Sequence, residues 1–206
     1  MSTALFERLY ADHERYEALL CILDRQLHVA ACQEVPDYRL LERIFRYLNR
    51  QPEEWHHRAE DQLFQWLAEQ QPESQDLFSV LTEEHRRFEV YGRELETKTQ
   101  RLADNGPGAE MDNNTFNLAR AFSELYHHHI YTEDHRIFPR IEAAFHTESL
   151  KERVPLPPAT NAEDSPEFQQ LFHQIADERK GLELGHGRQA IYCPLCGAEP
   201  VDEASR

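Results

Sequence analysis

From Phe78 to Leu102 the residues Phe78, Leu81, His85, Phe88, Gly92, Leu95, Thr99 and Leu102 follow one another at alternating spacings of 3 and 4. A series of that kind draws one seam along one helix face. A strand, whose side chains alternate sides, cannot carry it. A helix with such a seam has to pack it against other helices, and the chain supplies three more. They run Phe6, Tyr10, His13, Glu17, Leu20, Leu23, Leu27; then Leu41, Phe45, Leu48, His56, Glu60, Leu63, Leu67; then Ala119, Phe122, Tyr126, His129, Glu133, Ile137, Ile141. Period-2 alternation is absent, and the 7 glycines among 206 residues are too few for a sheet joined by tight turns.

Proline and loop-forming residues set the boundaries. Pro36 and Pro72 close two helices, and Ala103–Asn113 is a loop by composition. Four long helices are expected near 3–33, 37–70, 75–103 and 112–146. Pro52 should kink the second, because it removes a backbone donor and crowds the preceding turn. Short connections force neighbours to run antiparallel, so the expected fold is all-α, an up-down-up-down four-helix bundle over residues 1–146. Residues 147–164 read as a proline- and charge-rich linker. Residues 165–206 read as a short helix, capped by Ser165 with Pro166 in its first turn, and a small tail carrying Cys193-Pro-Leu-Cys196.

Charge narrows the partners. With 22 Lys and Arg against 38 Asp and Glu, the net charge of −16 disfavours nucleic acid and acidic membranes. No apolar run is long enough for a membrane span, and no signal peptide is visible at the start. The 4 cysteines do not form the pattern of a secreted disulfide framework, so a cytoplasmic location is expected.

The polar residues on the seams carry the chemistry. His13, His56, Glu60, His85, His129 and Glu133 all fall in line with core positions. A buried imidazole or carboxylate without a partner is costly, and a shared metal centre explains all of them together. The sequence also repeats itself. His56-x3-Glu60-Asp61 with Phe64 matches His129-x3-Glu133-Asp134 with Phe138, apart from one residue of slippage before the Phe. Asp12-His13-x2-Tyr16-Glu17 matches Glu84-His85-x2-Phe88-Glu89. Each half thus offers a lone His and a His-x3-Glu pair, whose members share a helix face one turn apart. Carboxylates can bridge two ions, so the natural reading is a dinuclear site, and mixed imidazole and carboxylate ligands suit iron among the transition metals.

With its HHxxED-x2-F segment at His56–Phe64 and its HxxxED-x3-FP segment at His129–Pro139, the chain resembles the hemerythrin-like, or HHE cation-binding, family. The order of its motifs is most similar to the bacterial four-His, two-Glu branch, which includes the di-iron domain of iron–sulfur repair proteins. The resemblance covers about residues 3–146. It implies two Fe ions with an oxo or hydroxo bridge, held by His13, His56, Glu60, His85, His129 and Glu133, and a small-molecule ligand such as O2, NO or peroxide. Oxygen-carrying hemerythrins have a further His four residues after that of the third helix, where this chain has Glu89. Unless Glu89 or water fills it, a position more stays open, which favours reactive chemistry over clean reversible carriage.

Three functions follow as expectations: a di-iron protein that senses, stores or scavenges the small molecule; an enzyme of peroxidase, oxidase or NO-detoxifying type, or an iron donor for iron–sulfur repair; or a regulator whose tail binds a protein partner or a second copy of the chain. Cys193 and Cys196 would hold zinc if His173 and His186, or a second chain, completed four ligands; otherwise they form a redox dithiol or an unoccupied remnant. Helix geometry separates neighbouring side chains by about 100°, so His57 is expected not to ligate alongside His56. His127 and His128 read as surface or supporting groups, and His28, His135 and His146 as solvated. Cys21 and Cys32 read as buried or partly buried thiols. Asp12, Glu17 or Asp134 could accept from the ligand imidazoles, and Tyr126, three residues before His129, could hydrogen-bond a small molecule at the centre.

Overall fold

The computed structural model describes residues 4–106 and 108–144, together with Gln170. The first rod is α1 (Ala4–Ala31). The second joins α2 (Tyr38–Gln51) to α3 (His57–Gln70) through a π-helical turn, Pro52–His56. The third is α4 (Gln75–Asp104), preceded by a 3-10 turn at Pro72–Ser74. The fourth joins α5 (Asn113–Thr132) to α6 (Phe138–Ala144) through a second π-helical turn, Glu133–Ile137. The expected linker over 147–164, the tail over 165–206 and its Cys193 and Cys196, with the zinc they would hold, lie outside the described residues, Gln170 excepted.

Local chemistry sets the ends. Asp37 caps α2 by accepting from Leu40 N–H at 2.9 Å, and Asp112 caps α5 by accepting from Thr115 N–H at 2.9 Å. Gly106 and Gly108, at φ +80° and +101°, turn the chain between α4 and α5 in a backbone region that other residues rarely enter. Gly92 serves a different purpose. A Cβ there would meet Asn49 Cβ at 3.0 Å, so its bare backbone lets α4 lie close against α2.

The rods are antiparallel to their neighbours. Along α1, His13 faces His56 while Tyr16 faces Tyr47, and Asp24 bonds Ser123 while His13 bonds Asp134. The described residues therefore form an all-α bundle in which each rod touches the one before and the last closes on the first. The buried face of α4 consists of Phe78, Leu81, Glu84, His85, Phe88, Gly92, Leu95 and Thr99, which is the expected seam with Glu84 added and Leu102 at its edge. Two apolar clusters fill the interior. One holds Leu20, Phe45, Phe88, Phe122 and Tyr126; the other holds Phe6, Leu63, Phe78, Phe138 and Ile141. On every rod the seam's His and Glu sit where one cluster gives way to the other.

The two π turns are the main local departure from ideal helix. In each, the closing bond reaches back five residues, from His57 N–H to Pro52 O and from Phe138 N–H to Glu133 O. Pro52 has no N–H to give the ordinary ladder, and its ring would crowd the turn before it, so the helix takes in an extra residue rather than breaking. Pro139 lies two residues past the second π turn, which relieves the same crowding there.

Candidate metal centre

The second π turn explains the slippage in the repeat. Glu60 and Phe64 are separated by an ordinary α turn, whereas Glu133 and Phe138 are separated by the wider π turn. Both phenyl rings reach equivalent places: Phe64 stacks on His85 (centroids 6.1 Å, 24°) and Phe138 on His13 (5.3 Å, 10°). Each Phe thus fixes the lone His of the opposite half.

Carboxylates fix the same rings by their outer nitrogens. His13 Nδ1 lies 2.6 Å from Asp134 Oδ1, and His85 Nδ1 lies 3.1 Å from Asp61 Oδ1. His129 Nδ1 lies 2.9 Å from Glu84 Oε2, whereas His56 Nδ1 faces Asp12 Oδ2 at 3.5 Å without an aligned hydrogen bond. An Nδ1–H that donates to a carboxylate leaves the Nε2 lone pair free to bind a metal. Asp12 is itself held by Arg8 and Arg15, at 3.0 and 2.8 Å. Of the acceptors the sequence suggests, Asp134 takes the role, and Asp12 faces His56 as a charged neighbour. Asp61 and Glu84 escape that reading, although the repeat pairs Asp61 with Asp134 and Glu84 with Asp12.

The four Nε2 atoms point inward onto Glu60 and Glu133, both wholly buried. Glu60 Oε1 lies 2.9 Å from His56 and 3.3 Å from His13, while its Oε2 faces His85 at 3.5 Å. Glu133 Oε1 lies 3.1 Å from His129 and 3.7 Å from His85, while its Oε2 faces His13 at 3.4 Å. Each carboxylate therefore turns one oxygen toward the His13/His56 side and the other toward the His85/His129 side. None of the four oxygens makes an aligned hydrogen bond despite full burial. His85 Nε2 and His129 Nε2 stand 3.0 Å apart, lone pair toward lone pair unless a cation or proton lies between. Donor atoms of His13, His56 and Glu60 fall within 4.8 Å of one another, as do those of His57, Glu60, His85 and His129. Orphaned oxygens amid converging nitrogens fit a metal-binding cluster.

The charges of the cluster act strongly on one another. Burial opposes charge on His13, but Asp134, Glu133 and Glu60 overcome it and hold the ring's pKa well above the ordinary value. Burial likewise opposes charge on His85, yet Asp61, Glu133 and Glu60 push it up to about 10. Burial would raise Glu133, but His129, His13 and His85 draw it well below the usual carboxylate range.

His57 is buried as well. It lies inside with His56, and their rings are 5.9 Å apart. Its Nδ1 bonds Glu53 Oε1 at 2.7 Å, and its ring lies flat on His85 at 4.0 Å and 7°. Burial, with His85, His56 and His129 as neighbours, pushes its pKa well below the ordinary value. The parallel stacking braces the His85 ring. Glu89 is half-exposed and pairs with Arg93, outside the cluster. His127 is buried against Asp24, 3.1 Å from its Nε2, and His128 is half-buried. His28 is exposed, but His135 is half-buried and stacked on Tyr131 at 4.2 Å. Cys21 is partly buried and Cys32 is exposed at the end of α1, where the last turn runs out of partners to cover it. No helix among the described residues is long and apolar enough to cross a membrane.

Among known proteins, the model of the family described as the hemerythrin HHE cation binding domain matches residues 4–141, a span that takes in every member of the cluster. Neither the curated proteins nor the solved structures give a match. The match covers most of the chain, and the paired halves with their buried His and Glu groups are those of a metal-binding bundle: the chain belongs to the hemerythrin HHE cation-binding family.

Proposed function

We propose that the bundle holds two iron ions, bridged by Glu60, Glu133 and an oxo or hydroxo group, and uses them to bind O2, NO or peroxide in sensing, storage or scavenging. His13 and His56 serve one ion, and His85 and His129 the other. The observation that carries this reading is the set of four Glu60 and Glu133 oxygens, fully buried, making no aligned hydrogen bond and ringed by imidazole nitrogens. A ring of that composition without cations would leave several buried polar atoms unpaired. Bound iron would supply open coordination positions and electrons for the small molecule. The protein's own groups orient and exclude water: Asp134, Asp12, Asp61 and Glu84 aim the imidazoles, Phe64 and Phe138 brace them, and Phe88, Phe122 and Tyr126 pack against the His129 side.

Glu89 pairs with Arg93, and in this reading the extra position is left to water or the small molecule. That favours a reactive centre over reversible carriage. Metal analysis and an optical spectrum in air test the first part, with about two irons and oxygen-bridged charge-transfer bands expected per chain. Stopped-flow mixing of the reduced, loaded protein with O2 tests the second. A long-lived oxygenated species that releases O2 unchanged would overturn the reactive reading. Steady turnover of peroxide or NO would instead move the protein into the enzyme class.

A further inference from the structure

Tyr126 is wholly enclosed beside the centre, yet its hydroxyl has no hydrogen-bond partner in the protein. Its surroundings are aromatic. The ring stacks on Phe88 at 4.2 Å and packs near His129 at 6.4 Å, Tyr16 at 6.2 Å and Phe122 at 5.5 Å. Natural interiors rarely leave a hydroxyl in that state, because burying it unpaired forfeits its hydrogen bonds to water.

The internal repeat sharpens the anomaly. Tyr126 lies three residues before His129, and Glu53 lies three residues before His56. Glu53 is engaged by His57 Nδ1 at 2.7 Å, whereas Tyr126 at the corresponding place is engaged by nothing. Tyr16, whose counterpart in the other half is Phe88, packs edge-on against His56 at 5.1 Å and against Tyr126. The twofold resemblance between the halves thus fails here, next to the metal ligands. A phenol carries its proton at neutral pH, so the oxygen can donate.

We propose that the Tyr126 hydroxyl donates the hydrogen bond that fixes the small molecule taken up at the centre. This rests on the small-molecule reading above and gives that molecule a chemical requirement: a lone pair on the atom facing Tyr126. An anionic or polarised ligand such as azide, peroxide or superoxide meets it best.

Azide is the probe. Wild-type protein and Tyr126→Phe, both iron-loaded, are titrated with azide and followed optically, and the azide stretching band is recorded in H2O and D2O. Tyr126→Phe should keep the wild-type iron content and bind azide about 10-fold more weakly, the scale of one hydrogen bond to a charged acceptor. The solvent-isotope shift of the band should be present in wild type and absent in the variant. In the metal-free protein, where the orphan hydroxyl is only a burden, Tyr126→Phe should raise the thermal midpoint by a few degrees. Azide affinity within twofold of wild type, an unchanged isotope shift, loss of iron from the variant or a lowered metal-free midpoint would each overturn the assignment. Loaded wild-type protein that takes up no azide would overturn the small-molecule reading, and this assignment with it.

Discussion

Asp134→Asn and Asp61→Asn are matched perturbations on the two halves of the centre, and the structure predicts that they differ. Asp134 holds His13 Nδ1 at 2.6 Å with its side chain 3% exposed. Asp61 holds His85 Nδ1 at 3.1 Å with its side chain 41% exposed, and it also accepts from Thr82 Oγ1 at 2.8 Å. Replacing Asp by Asn keeps the shape and an acceptor oxygen but removes the charge. A charge-assisted hydrogen bond contributes about 1.5–3 kcal/mol and a neutral one about 0.5–1.5 kcal/mol, so the buried site should lose about 1–1.5 kcal/mol. That is about a 10-fold loss of affinity for the ion on the His13 side. At Asp61, water screens the charge and replaces part of the bond, and about a 2-fold loss is expected at the other ion. The assay is anaerobic competition for ferrous iron against a chromophoric chelator, with the two binding steps resolved. Equal losses, or a larger loss for Asp61→Asn, would refute the argument that burial sets how strongly these carboxylates act.

His129→Ala should strip most of the ion on its side, whereas His57→Phe, which keeps a ring to lie on His85, should load like wild type; metal analysis showing equal losses would make His57 a ligand. In the metal-free protein the raised His13, His56, His85 and His129 contribute stability that is complete below the free imidazole pKa of about 6.5 and is lost as pH rises through their folded values, about 10 for His85. Its melting temperature should therefore fall between pH 7 and pH 9, and a flat or rising profile by calorimetry would contradict the protonated cluster. Gly92→Ala gains helix propensity but drives a methyl to 3.0 Å from Asn49 Cβ, so urea unfolding should show a net loss of about 1 kcal/mol.

Much of this was legible in the residues because helical periodicity and ligand chemistry coincide. Helix limits at Gln70 and Gln75 match the pattern-based boundaries, since Pro72 leaves the backbone little choice between them. The convergence of His13, His56, Glu60, His85, His129 and Glu133 follows from their places on four seams that a bundle must turn inward. What escaped was the width of the buried face and the second π turn. A single-period reading assigns His57 a direction about 100° from His56, yet the interior takes adjacent positions here as it does at Leu63 and Phe64. The π turn at Glu133–Ile137 is why the repeat slips by one residue before Phe138. Asp61 and Glu84 were missed for another reason. Each precedes or follows a ligand on its own helix but bonds an imidazole from a different one, which periodicity within one helix does not reveal.

The central claim is that the four rods together clasp two ions between the His13/His56 and His85/His129 pairs. Anomalous diffraction at the iron edge, from crystals grown anaerobically with ferrous salt, measures it directly. The account predicts two peaks about 3.5–4 Å apart, each within bonding distance of its own imidazole pair and of both Glu60 and Glu133. A single peak, or density lodged elsewhere while these six side chains stay as they are in the metal-free chain, would contradict it.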